Sequence, residues 1–162
     1  MTENEHEGEA LFGHAVLIDL REKSPYGFTG LRTDAGRPLR VLTRAVRLET
    51  GDYSLAGREG EVAVERKELS DYFRSIGAAR SRFVRELRRL NGMMSSAVVV
   101  EATWDAIMES PLVVSRLFPK AVCAVTHNLR HRFPNVVWHF VSGRREGELT
   151  TFGILERFAR TR

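Results

Sequence analysis

GDYSLAGREGEVAVERKELSD, residues 51–71, is the stretch on which the fold turns. After Gly51, the residues from about Asp52 to Leu55 read as a short strand, Ala56 to Gly60 as a turn, and Glu61 to Glu65 as the returning strand of a hairpin. Side chains alternate across a strand, so Val62 and Val64 point to one face while Ala63, Glu65 and Lys67 share the other. Leu69, Phe73 and Ile76 then recur at helical spacing and predict a helix with one buried stripe.

Working upstream, Ala15 to Leu20 is a short apolar run suited to a buried strand, and it delivers Asp19 and Glu22 to its carboxyl end. Pro25, Gly27, Gly30, Gly36 and Pro38 make Ser24 to Pro38 a loop, and Arg40 to Leu48 reads as a further strand. Downstream, a helix from Arg80 to Leu90 buries Phe83, Leu87 and Leu90 and turns Arg82, Arg85, Arg88 and Arg89 elsewhere. Ala97 to Glu101 is another buried strand. Pro119 suits the first turn of a helix running to about Arg132, with Ala121, Val122, Val125 and Leu129 inward. Val136 to Val141 completes the sheet, and Glu148 to Arg160 is a terminal helix. Strands interleaved with covering helices predict an α/β fold, an α/β/α sandwich around a central mixed sheet.

Composition narrows the partners. With 162 residues, 43% of them hydrophobic, the chain can bury one core, so a single domain over residues 13–162 is expected. Met1 to Phe12 is an acidic tail without periodicity. Four of the 21 acids, Glu3, Glu5, Glu7 and Glu9, fall in the first ten residues, which contain no Lys or Arg. The rest therefore sets 25 basic against 17 acidic residues, and a basic domain favours nucleic acid. One cysteine, Cys123, no signal-peptide pattern and no bilayer-length apolar run predict a soluble cytoplasmic protein without a membrane partner.

Two acids on adjacent strands, Asp52 and Glu65, can hold a divalent cation, and Lys67 can orient or deprotonate a water beside it. Read singly, each is an ordinary element-end residue, with Lys67 and Asp71 as an i,i+4 pair on a solvated helix start. Read in order, Asp19-Leu20-Arg21-Glu22, Gly51-Asp52-Tyr53 and Glu65-Arg66-Lys67 with Asp71 resemble the motifs of the nuclease domain of the XPF family of structure-specific DNA endonucleases. The likeness continues through Arg21 to Phe28 (REKSPYGF), Ser81 to Leu87 (SRFVREL) and Pro119 to Val122, and so covers about Ala15 to Phe158.

The resemblance implies a restriction-endonuclease-like fold and phosphodiester hydrolysis with Mg²⁺ or Mn²⁺ held by Asp52, Glu65 and Glu22, with Asp19 nearby. Arg66, on the opposite face of its strand by parity, is expected to pair with Asp71 or another acid and fix the helix entry, and Arg21 to contact phosphate or hold the acids apart. DNA is the expected partner, cut at branched or distorted sites, with Arg80, Arg82, Arg85 and Arg89 the candidate phosphate contacts. Larger relatives carry helix-hairpin-helix motifs that this sequence lacks, so their substrate choice does not transfer. A separate DNA-binding or helicase partner is compatible with that difference. The alternative is a non-catalytic DNA-binding or scaffold subunit, although such a subunit typically loses the acids or the lysine that are retained here.

Other residues read as structural. His127 and His131 lack a glutamate partner for a zinc motif, Trp104 and Trp138 suit the core, and Tyr26 and Phe28 suit a loop packed onto the sheet. Leu112, Val113, Val114, Leu117 and Phe118, with the terminal helix Leu149 to Phe158, are the expected contact of a homodimer.

Overall fold

β6 (Val62–Lys67) is buried along five of its six residues, and the sheet assembles on both its sides. In the computed structural model, which describes residues 13–110 and 116–161, β5 (Tyr53–Leu55) pairs with it antiparallel and β7 (Ser95–Val100) parallel. β1 (Val16–Asp19) lies beyond β5 and antiparallel to it, and β4 (Thr43–Val46) closes that edge. β8 (Val136–Phe140), parallel to β7, closes the other. The result is a six-stranded mixed sheet in the order β4-β1-β5-β6-β7-β8. The strand directions place the site. β1, β6 and β7 run one way and β5 the other, so Asp19, Asp52, Glu65 to Lys67 and Glu101 collect at one end of the sheet.

The alternation along β6 separates two cores. Ala63 faces a layer built by α1 (Leu69–Ile76), α2 (Arg80–Asn91), α3 (Trp104–Met108) and α4 (Pro119–Arg132), through Tyr72, Phe73, Phe83, Leu87, Ile107, Val122 and Leu129. Val62 and Val64 face α5 (Arg144–Arg160), which supplies Phe152, Leu155 and Phe158, and the loop residues Tyr26, Phe28 and Leu31. Each fully buried Leu or Phe contributes about 2 kcal/mol, so both layers bind the sheet strongly. Gly147 lets α5 approach the loop closely. A Cβ there would collide with the Tyr26 hydroxyl and stand 3.3 Å from Glu101 Cγ.

The predicted sandwich is the architecture found, with local differences. β6 runs on to Lys67, and the 24–38 loop contains a ribbon of β2 (Leu31–Arg32) and β3 (Pro38–Leu39). α3 is a five-residue helix that periodicity could not announce, capped by the Thr103 hydroxyl, which accepts from the Ala106 N–H at 3.2 Å. Ala121 is exposed rather than inward, since α4 rests on Val122, Thr126 and Leu129. α5 begins four residues before Glu148. The acidic tail and Leu112, Val113 and Val114 lie outside the described residues. No described helix is long and apolar enough to cross a membrane.

Candidate active site

Backbone bonds hold the three acid-bearing strand ends in register. The Asp19 N–H donates to the Asp52 carbonyl, and the Asp52 N–H to the Val64 carbonyl, both at 2.8 Å. Gly51 makes this approach possible. Its φ is +73°, and a Cβ there would stand 3.0 Å from Ala63 Cβ and 3.1 Å from the Val64 carbonyl oxygen.

On this scaffold Asp52, Glu65 and Lys67 come together. Asp52 Oδ2 accepts the Arg66 N–H at 2.7 Å. Glu65 is 9% exposed and accepts from Lys67 Nζ at 2.6 Å, with that ammonium also 5.1 Å from the centre of the Phe83 ring. Burial, and then the charge of Glu65, push the Asp52 carboxyl well above the usual range, and the Arg66 N–H offsets only part of this. Burial raises Glu65 as well, against the pull of Lys67, and the Glu86 carboxylate adds to the rise. Burial alone would lower Lys67, but Glu65 and Asp52 outweigh it and raise the ammonium's pKa. A buried acid and a half-buried one thus share one ammonium.

The other predicted residues divide. The Asp19 carboxylate is consumed by its surroundings: it accepts from Arg21 N–H and Nε at 2.7 Å, from Arg21 Nη2 at 2.9 Å, and from the Leu48 N–H at 2.7 Å. Burial would raise it, and these bonds prevail and hold it below its ordinary value. Arg21 is pinned in turn, with Nη2 also donating to the Leu48 carbonyl at 2.7 Å. Glu22 is held by Arg66 Nη1 at 3.2 Å and by the Ser24 N–H at 2.9 Å, close enough that its charge adds to the rise of both Asp52 and Glu65.

Arg66 does not meet Asp71. Strand parity sends it through the sheet to the α5 side, where Glu101 takes it bidentately at 2.7 and 2.9 Å and Glu68 at 2.8 Å. Burial would lower its guanidinium, and these carboxylates reverse the effect. Asp71 pairs with Arg74 at 2.9 Å instead, and Lys67 has Glu65 rather than Asp71 as its partner. Arg80, Arg82 and Arg85 are exposed and make no ion pair among the described residues, whereas Arg89 is paired to Glu86. Tyr26 and Phe28 are buried, and Trp138 is in the core with Trp104 packed against it. His127 and His131 are exposed.

Two residues escaped the sequence reading. Glu101 follows β7 by one position and shares the Arg66 face by strand register, so the pairing was available from parity across parallel strands. It accepts the Tyr26 hydroxyl at 2.7 Å, and its carboxyl is lowered, because Arg66 and Tyr26 overcome the effect of burial. Glu86 interrupts the arginines of α2 and reaches the Gly51 N–H at 2.8 Å, a contact across 35 residues that no local pattern marks.

Among the described residues no three carboxylate, imidazole or thiol side chains converge on one point, since Glu22 is held by Arg66 and Ser24. The donors that do converge are hard carboxylate oxygens carrying more negative charge than Lys67 balances. A small divalent cation accepts one or two carboxylates and fills its other positions with water and phosphate oxygens, so Asp52 and Glu65 fit one.

The family model of the ERCC4 domain matches residues 18–112, a span containing every site residue described above. No curated protein matches the chain. Among solved structures it is similar to XPF from Aeropyrum pernix in complex with DNA, with a TM-score of 0.62 and 20% identity over 92% of this chain and 66% of that one. It is similar also to XPF from Aeropyrum pernix, with a TM-score of 0.62 and 19% identity over 91% and 66%. The chain therefore spans just under two-thirds of those structures, and at this identity the likeness is one of fold.

Proposed function

Because the chain belongs to the ERCC4-domain family, we propose that it is a divalent-metal-dependent DNA endonuclease that hydrolyses phosphodiester bonds at branched or distorted sites. The observation that carries this reading is the meeting of Asp52 with the Glu65–Lys67 pair at the end of a buried sheet. Asp52 and Glu65 would hold Mg²⁺ or Mn²⁺. Bound there, the ion supplies a Lewis acid for the phosphate and lowers the pKa of a water. Lys67, its ammonium directed by Glu65, orients the attacking water or a phosphate oxygen. Arg66, locked by Glu101 and Glu68, fixes the strand and holds Glu22 within reach of the site. Arg80, Arg82 and Arg85 offer exposed cations to the flanking phosphates, and two copies would grip two arms of a branched substrate.

The test uses purified protein on matched duplex, fork and flap DNA. Cleavage requires Mg²⁺ or Mn²⁺ and is lost in Asp52→Ala and Glu65→Ala, while Lys67→Ala binds DNA nearly as wild type does and fails to cut. Full cleavage in EDTA, or by both acid variants, rules the reading out.

A further inference from the structure

Glu86 enters the site from α2, a different layer from the strands that carry the other acids. Its Oε1 accepts the Gly51 N–H at 2.8 Å, its second oxygen accepts from Arg89, and its side chain is 17% exposed. Gly51 precedes Asp52 and is pressed against Ala63 and the Val64 carbonyl at a φ of +73°. The direction of its peptide therefore sets where the Asp52 side chain leaves the sheet. From this geometry we infer that Glu86 is a positioning residue for the cation site, fixing Asp52 through the Gly51 amide and so tying it to the arginine-bearing helix, with Arg89 of the same helix holding its second oxygen. The inference rests on the reading of Asp52 and Glu65 as cation ligands.

A backbone amide needs an oxygen acceptor and not a negative charge. Glu86→Gln keeps that oxygen at the same reach, and Glu86→Ala removes it. The experiment titrates Mn²⁺ calorimetrically into metal-free wild type, E86Q, E86A and D52A, and records the Gly51 amide resonance in each. Wild type binds and D52A does not. E86A loses about tenfold in Mn²⁺ affinity, as residues that orient a ligand commonly do, and its Gly51 amide moves upfield and exchanges faster. E86Q stays within about threefold of wild type.

E86A binding Mn²⁺ as wild type does overturns the proposal. So does E86Q binding as weakly as E86A with its Gly51 resonance preserved, because the charge and not the bond would then be what the cation requires. Wild type binding no better than D52A removes the ligand reading, and this inference with it. Should E86A not fold, Glu86→Leu, which restores side-chain volume without an oxygen, takes its place.

Discussion

The charge of Asp52 works against the fold that holds it. Burial and mutual repulsion raise the Asp52 carboxyl, so the folded protein binds that proton more tightly than the unfolded chain does. Its contribution to stability therefore falls as pH rises through the raised value. Asp52→Asn removes the charge and keeps an oxygen for the Arg66 N–H, so the metal-free variant should be inactive yet more stable than wild type by about 1 kcal/mol at neutral pH. Thermal melts check this, and Mg²⁺ should raise the melting temperature of wild type far more than that of the variant. Glu65→Gln would confound the measurement, since it strips Lys67 of its partner. Asp19 behaves oppositely, with a carboxyl lowered by the donors around it. Asp19→Asn should cost about 2 kcal/mol at neutral pH. That stabilisation is complete above the unfolded pKa of about 3.9 and is lost as pH falls through the lower folded value, so the gap between the two proteins closes in acid. Both residues stood out in the sequence because their motifs are local. Their opposite roles did not, because Arg21 and Leu48 reach Asp19 through geometry that residue order does not contain.

At the scale of elements, α2 joins the proposed chemistry to the proposed substrate surface. Phe83, Leu87 and Leu90 anchor it to the sheet, Glu86 touches the turn before β5, and Arg82 and Arg85 remain exposed. Replacing Arg82 and Arg85 by alanine should weaken binding to every DNA tested. It should also reduce the slope of log affinity against log salt by roughly one for each lost phosphate contact. Titration at several salt concentrations decides it, and an unchanged slope would show that α2 faces away from DNA. α2 was legible because its buried apolar residues recur at helical spacing over two turns. α3 was not, because five residues hold little more than one turn and its existence depends on the Thr103 cap and on Ile107 finding the core. The inward placement expected for Ala121 failed for a related reason: Val122, Thr126 and Leu129 fix the rotation of α4, and Thr126 takes the inward position by bonding the Tyr72 hydroxyl.

For the whole molecule, assembly is the open question that one measurement can answer. α5 spends Phe152, Leu155 and Phe158 on its own core, which leaves Leu149 at 45% exposure and Phe118, ahead of α4, at 66% as apolar surface for a second copy. Sedimentation at micromolar concentration should show a homodimer, and a single species near 18.4 kDa with and without DNA would exclude it. The layered architecture was readable from alternating strands and covering helices. The strand order was not, because pairing β1 with β5 and β4 joins segments that only the assembled sheet brings together. The division into two cores has an optical consequence. Both tryptophans of the chain, Trp104 and Trp138, lie in the layer of α1 to α4, while the α5 layer holds only Tyr26 and Tyr53 of the larger chromophores. Indole fluorescence thus watches one half of the protein, and far-ultraviolet circular dichroism watches both. Because β6 and β7 are common to the two halves, the two signals should melt together. An ellipticity loss that precedes the fluorescence change would instead mean that α5 peels off an otherwise intact sheet.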